Sequence, residues 1–528
     1  MRDRLALDGA EDENMTEDSE PGDKHPLVTF LSALGRWLLL LLLALHLLFR
    51  REFAHRNLGE LFGVANGWLS RLYVTELCLA LLLPAAVMIA WQRKTDRTPR
   101  LQGMPAPASG MGPSFFIALA FLLWGLGHAA VGFCHSGATA YLILRQSAML
   151  GYVVFFLYAV LFFGGQKAHI RQAAFAALSI SLLCALLDAF GLLKPKADPT
   201  SLYPNESLFG QETLPLAILV LGLCAIHGRG LPWQALALVG ILFAGWRQSQ
   251  RALQSVVPVG LGGALFLYLV LGGLAALRGQ LHTLKRAGLL VVLFGLILLA
   301  CRGALKFSDE ESTEANAWSL PTYVHLLDVY EHATVPADPK DRLHSAREAG
   351  VLLSDPEAHK LETVYFEARG RGGDSVVNNI WRLLLWRRMF LDWAHGSSIL
   401  GAGVGRVWAY NEAFRHTHFH YEQDPGGLNP HNSYLNTLYR FGAIGLALLL
   451  ALLFSVLYSA CKALEAPPGV GDGWLEGVAL YFFYTAIFAF FTVGLEGPSY
   501  AMPFWFSLGL LYARAQQCSS AYLEPWQR

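Results

Sequence analysis

The stretch HNSYLNTLYRFGAIGLALLLALLFSVLYSA, residues 431–460, decides the fold. From Ser433 onward it is apolar, and as a helix rising about 1.5 Å per residue it is long enough to cross a ~30 Å hydrocarbon layer. The same reading extends outward in both directions. Apolar runs follow at 475–494 and 498–515. Others precede it at 27–49, 70–92, 114–133, 141–164, 172–193, 213–227, 232–247, 253–277 and 284–301. The sum is about twelve spans. The pair around 213–247 is short and open to being tilted or re-entrant. Only 15% of the residues are charged, against roughly a quarter in a soluble domain. The class is an all-α polytopic membrane protein.

The formal net charge is zero, so there is no electrostatic footprint for nucleic acid. The seven cysteines, Cys78, Cys134, Cys184, Cys224, Cys301, Cys461 and Cys518, sit mostly in or beside apolar runs. That placement argues against a disulfide framework. Residues 1–26 carry Asp8, Glu11, Asp12, Glu13, Glu17 and Asp18 and read as a disordered acidic tail. They lack the basic segment of a cleavable signal peptide, so the first apolar run is expected to remain as an anchor.

Sidedness follows from lysine and arginine in the short loops. Arg93, Lys94, Arg97 and Arg100 follow the second span, Lys167 and Arg171 the fourth, and Arg278, Lys285 and Arg286 the eighth. These alternate loops share one side, expected to be cytoplasmic, and both termini lie with them. Arg50, Arg51, Arg56 and Arg71 run against the rule in the first outer loop. The expected layout is a cytoplasmic tail at 1–26, spans one to nine over 27–301, an outer loop at 302–432, spans ten to twelve over 433–515, and a second cytoplasmic tail at 516–528. An outer loop of about 130 residues is far above ordinary connection lengths, and such loops carry function or disorder. Its first half is polar, with Asp309, Glu310, Glu311, Glu314, Pro336, Asp338 and Pro339. Its second half predicts an amphipathic helix over 376–393, with Ile380, Trp381, Leu384, Leu385 and Met389 on the apolar side and membrane lipid as its neighbour.

Three clusters carry candidate chemistry. Arg247 and Arg251 lie at a boundary between two spans, where arginines either anchor by snorkelling or bind phosphate. Arg382, Arg387 and Arg388 are embedded in the predicted interfacial helix, and a solvated arginine face is the competing reading there. The run Gly401-Ala-Gly403-Val-Gly405 lacks the spacing of a dinucleotide fingerprint. It lets backbone approach another chain segment or a ligand closely. His431, with Asn432 and Tyr434, stands at the mouth of the tenth span, either as a structural residue or as a base for an incoming hydroxyl. His416, His418 and His420 alternate along the preceding segment, but no cysteine or carboxylate pattern accompanies them. A polar loop is the simpler reading, and no metal site is expected.

From Trp381 to Leu450 the chain resembles the O-antigen ligase and polymerase superfamily. The resemblance rests on Arg382-Leu-Leu-Leu-Trp386, Gly401-Ala-Gly403-Val-Gly405, and His431-Asn-Ser-Tyr434-Leu435 leading into Gly442-Ala-Ile-Gly445-Leu446. The family pattern is Arg-x-x-x-Trp, Gly-x-Gly-x-Gly, then His-Asn-x-Tyr-Leu before Gly-x-x-Gly-Leu. Gln250-Arg251-Ala252 is similar to an earlier family element that has serine where this chain has glutamine. The resemblance implies a membrane-embedded glycosyltransferase of the GT-C type. It implies a glycan donor on undecaprenyl diphosphate, an acceptor hydroxyl such as that of lipid A–core, and no cofactor. Arg251, Arg382 and His431 take the family's catalytic positions. Substrate binding is expected to extend to Arg247, Arg387, Arg388, Gly401, Gly403, Gly405, Asn432 and Tyr434. The charge rule independently puts all three catalytic candidates on the outer face, which in a cell inner membrane is the periplasmic one. A polymerase or a protein O-oligosaccharyltransferase shares this chemistry. A flippase or transporter is the reading from another class, but no internal repeat supports it.

Overall fold

The computed structural model describes residues 26–48, 74–95, 111–134, 142–143, 146–164, 320–332, 382–396, 398–405, 430–464 and 498–527, with isolated residues between them. All regular structure among the described residues is helical. The helices are α1 (Pro26–Leu48), α2 (Val74–Thr95), α3 (Pro113–Cys134), α4 (Ala148–Phe163), α5 (Leu320–His332), α6 (382–395), α7 (Ser433–Leu464) and α8 (Pro498–Gln527). Two of them, over Pro113–Cys134 and Ser433–Ala460, are long and apolar enough to cross a membrane, while Pro26–Leu42, Glu76–Gln92 and Ala148–Phe163 are shorter apolar helices. The described part of the chain is thus all helical, with two candidate membrane-spanning helices. The apolar runs at 27–49, 70–92, 114–133, 141–164, 433–460 and 498–515 coincide with α1 to α4, α7 and α8. The other six expected spans lie wholly or largely outside the described residues, as do the acidic tail before Pro26 and Arg247, Arg251, His416, His418 and His420.

Local chemistry sets the helix ends. Pro113 and Pro498 open α3 and α8, where the missing N–H has no helical partner to lose. The Gly112 carbonyl accepts from the amides of Phe115 and Phe116 at 3.0 and 3.4 Å and closes the first turn of α3. Helix α4 stops at Gly164, whose amide donates to Val160 at 3.0 Å.

Helix α4 is the centre of the bundle and touches α1, α2, α3 and α8. Its sequence is apolar all round, the pattern of a helix with no water-facing side. Phe155, Phe156, Phe162 and Phe163 are fully buried. Phe163 meets Phe506 edge-on at 5.6 Å, and a Cβ at Gly509 would sit 2.6 Å from that of Ala159. Small residues thus let α4 and α8 approach closely, the usual packing device where lipid removes the hydrophobic contrast. The Tyr158 hydroxyl donates to the Leu79 carbonyl at 2.8 Å, five residues before Pro84, which interrupts the hydrogen-bond ladder of α2.

Helix α7 packs on α3 and α8. Ser114 and Ser455 share a 2.7 Å hydrogen bond, and Phe121 meets Phe441 edge-on at 6.3 Å. Helix α7 is broken at Gly442, where φ is 70° and ψ −173°. The part after the break, Ala443 to Leu464, is about 33 Å long at 1.5 Å per residue and covers the hydrocarbon thickness alone. The part before it, from Ser433, is therefore free to lie at the membrane boundary.

Candidate functional site

The site is built around the first two turns of α7. Asn432 caps the helix: its side-chain oxygen accepts from the Leu435 amide at 2.9 Å, and its carbonyl accepts from Asn436 at 3.0 Å. Ser433, Asn436, Thr437 and Arg440 are all buried. Their spacing of three, one and three residues puts them on one helix face. That polar stripe points into the protein. Thr437 donates to the Ser433 carbonyl at 2.7 Å and lies 3.7 Å from the sulfur of Met149 on α4. Ala486, Ala489 and Leu495 hold the helix start from another side. The Ser433 amide donates to Ala489 at 2.9 Å, the Leu495 amide to the Ser433 hydroxyl at 3.1 Å, and the Tyr434 hydroxyl to Ala486 at 2.8 Å. The Tyr434 ring lies 4.2 Å from that of Phe490.

His431 stands just before this cap with φ of 50°. The left-handed region costs a residue with a Cβ roughly 1–2 kcal/mol, and histidine is among the types enriched there. Such strain persists only where neighbours over-determine it, and it concentrates at functional sites.

Helix α6 brings in the second motif. Leu384, Leu385 and Met389 are buried, as the amphipathic pattern expects. The described helix begins at 382, so Ile380 and Trp381 fall outside it. Arg382 is half-buried, and Trp386 lies one turn further along the same face. The Trp386 indole N–H donates to the Pro430 carbonyl, next to His431. The Arg-x-x-x-Trp face is thereby held against the entry to α7. Arg387 pairs with Glu331 of α5 at 2.7 Å, with both side chains about half exposed, and its guanidinium lies 6.0 Å from the Tyr330 ring. Arg388 reaches Asp392, one turn on, at 3.4 Å. Both therefore have carboxylates within reach, which favours the surface reading that the sequence leaves open for them.

The glycine run locks into the break of α7. In an unbroken helix the amides of Ala443 and Ile444 would donate to the carbonyls of Tyr439 and Arg440. Instead Ala443 donates to Ser398 at 3.0 Å and Ile444 to Ile399 at 3.4 Å. The two displaced carbonyls accept from Ala402 at 2.7 Å and Gly403 at 3.0 Å. A third carbonyl at the break, that of Phe441, accepts from the Trp124 indole at 3.0 Å. Backbone groups freed at membrane depth need internal partners, and the turn supplies them. Close approach makes glycine necessary: a Cβ on Gly401 would lie 2.4 Å from the Gly442 nitrogen, and one on Gly442 would lie 2.1 Å from the Ile399 carbonyl oxygen. Gly401, Gly403 and Gly405 have φ of 81°, 81° and 85°. The Gly405 amide donates to the side chain of Gln146 at 2.7 Å. Gly132 of α3 receives the Val404 carbonyl where a Cβ would stand only 2.7 Å away. Trp393 donates to Ser398 at 2.8 Å and joins the end of α6 to the same turn.

The structure thus brings together Arg382, Trp386, the glycine turn, His431, Asn432 and Tyr434. Asn432 and Tyr434 are engaged in holding the start of α7. The amides of Gly403 and Gly405 are used within the protein, while nothing lies within 4 Å of the position a Cβ would take on Gly403. Gln146 and Arg440 were not singled out from sequence. Arg440 is a buried cation at the break, only 3% exposed. An ionisable residue in an otherwise apolar span is the signal that finds it. Gln146 has no such signal, because only the fold carries it to Gly405. No protein-family model matches this chain, and no curated protein matches it either.

Proposed function

We propose that the chain is an O-antigen ligase-like glycosyltransferase with a GT-C-like fold of about twelve spans. It moves a glycan from undecaprenyl diphosphate to a hydroxyl of lipid A–core on the periplasmic face of the inner membrane. One observation carries the reading: motifs 20 to 60 residues apart in sequence meet at one end of α7, through Trp386 on Pro430 and the glycine turn in the break at Gly442. A half-buried arginine, a strained histidine and a polar helix start at a membrane boundary suit a reaction between a lipid-bound diphosphate and a hydroxyl.

The chemistry is a single displacement. The acceptor oxygen forms a bond to the anomeric carbon as the bond from that carbon to the diphosphate breaks, so the configuration inverts. The leaving diphosphate gains negative charge, and Arg251 and Arg382 stabilise it with fixed, permanently charged donors. His431 takes the proton of the acceptor hydroxyl from the opposite side. In this reading the arginines supply the positive charge that a metal otherwise would.

Deletion of the gene tests the assignment. A ligase deletion leaves long polymer on the lipid carrier and none on lipid A–core. Single repeat units on the carrier would make the chain a polymerase instead. An unchanged glycan distribution would exclude both.

A further inference from the structure

We infer that Trp386 is a positioning residue. By donating its indole N–H to the Pro430 carbonyl, it holds His431 in its left-handed conformation at the start of α7. This rests on the proposed role of His431 and adds a residue to the machinery of that same site. The hydrogen bond joins residues 44 apart, so neither local element creates it alone.

The Pro430 carbonyl and the His431 nitrogen belong to one rigid unit. Holding that carbonyl fixes the plane on the upstream side of His431. Downstream, the plane between Asn432 and Ser433 is fixed by the Ser433 amide on Ala489 at 2.9 Å. The cap from Asn432 to Leu435 at 2.9 Å secures the helix behind it. His431 is clamped between the two, with φ of 50°. Without the upstream clamp the 430–431 plane is free to turn, and the strained φ can relax towards the ordinary negative region. The imidazole then swings away from its place.

The test uses the full chain in liposomes of phosphatidylethanolamine and phosphatidylglycerol. The donor is an undecaprenyl-diphosphate-linked oligosaccharide and the acceptor is purified lipid A–core. Trp386→Phe keeps an aromatic ring and removes the N–H. The expected result is a fall in kcat of about tenfold, with the donor KM unchanged and the melting temperature lowered by no more than the loss of one hydrogen bond brings. In a His431→Ala background the same substitution is expected to have no further effect on the residual rate, because its action runs through the histidine. An unchanged kcat overturns the inference. So does an equal loss in the His431→Ala background. Inactive His431→Ala beside fully active Trp386→Phe removes this inference alone. His431→Ala at the wild-type rate removes the underlying reading, and this inference with it.

Discussion

A proton separates the roles of the site residues. Guanidinium keeps its charge at any accessible pH and offers only donors, so Arg382 can hold a diphosphate but cannot take a proton from the acceptor. Imidazole can take that proton. His431→Ala is therefore expected to cut transfer by roughly 10²–10⁴-fold while donor binding persists. Arg382→Lys is expected to weaken donor binding and turnover together, because a point charge does not replace a two-pronged fork. Arg387→Ala is expected to leave both near wild type, since its charge is half exposed and met by Glu331. Donor binding and transfer rate measured for each variant, with membrane insertion verified, check all three. Normal binding and turnover in Arg382→Ala would return that arginine to the surface of an interfacial helix.

The elements make their sharpest statement where the glycine turn enters α7. Gly401 and Gly403 share a φ of 81°, but a Cβ would strike the Gly442 backbone from Gly401 and meet nothing from Gly403. Gly403→Ala then carries only the left-handed penalty of roughly 1–2 kcal/mol. Gly401→Ala adds a backbone clash that disturbs the four exchanged hydrogen bonds, and it is expected to lower the melting temperature clearly more. Equal shifts from the two would mean that the turn is not seated in the break. Much of this was legible in sequence. The apolar runs under α1 to α4, α7 and α8 announce helices by length alone. The Leu384, Leu385 and Met389 face of α6 follows from its period. The glycine run allowed close approach to a chain segment or a ligand, and for Gly401 the segment is α7. The break itself was not legible, because a glycine inside an apolar run is common in membrane helices and nothing in the run signals the φ of 70° at Gly442. Helix α5 was also missed. The acids around Glu310 and the prolines at 336 and 339 mask the short spacing of Leu326 and Tyr330, which the fold buries.

For the whole molecule, sidedness decides whether the chemistry has its substrate. Loops rich in lysine and arginine at Arg93–Arg100 and Arg278–Arg286 are expected inside. A reporter fused at the C-terminus or after Arg97 should therefore signal cytoplasm, and one near Pro336 the periplasm. A cytoplasmic signal at Pro336 would put α5, α6 and His431 on the face with no flipped, lipid-linked glycan. The central claim is that this chain joins such a glycan to a hydroxyl. Its most direct test is the purified chain in liposomes, given undecaprenyl-diphosphate-linked glycan and lipid A–core, with a strong chelator present and no nucleotide. Glycan on lipid A–core and release of undecaprenyl diphosphate are the predicted result, with His431→Ala slowing both by roughly 10²–10⁴-fold. Transport of the donor across the bilayer with no new glycosidic bond would contradict it.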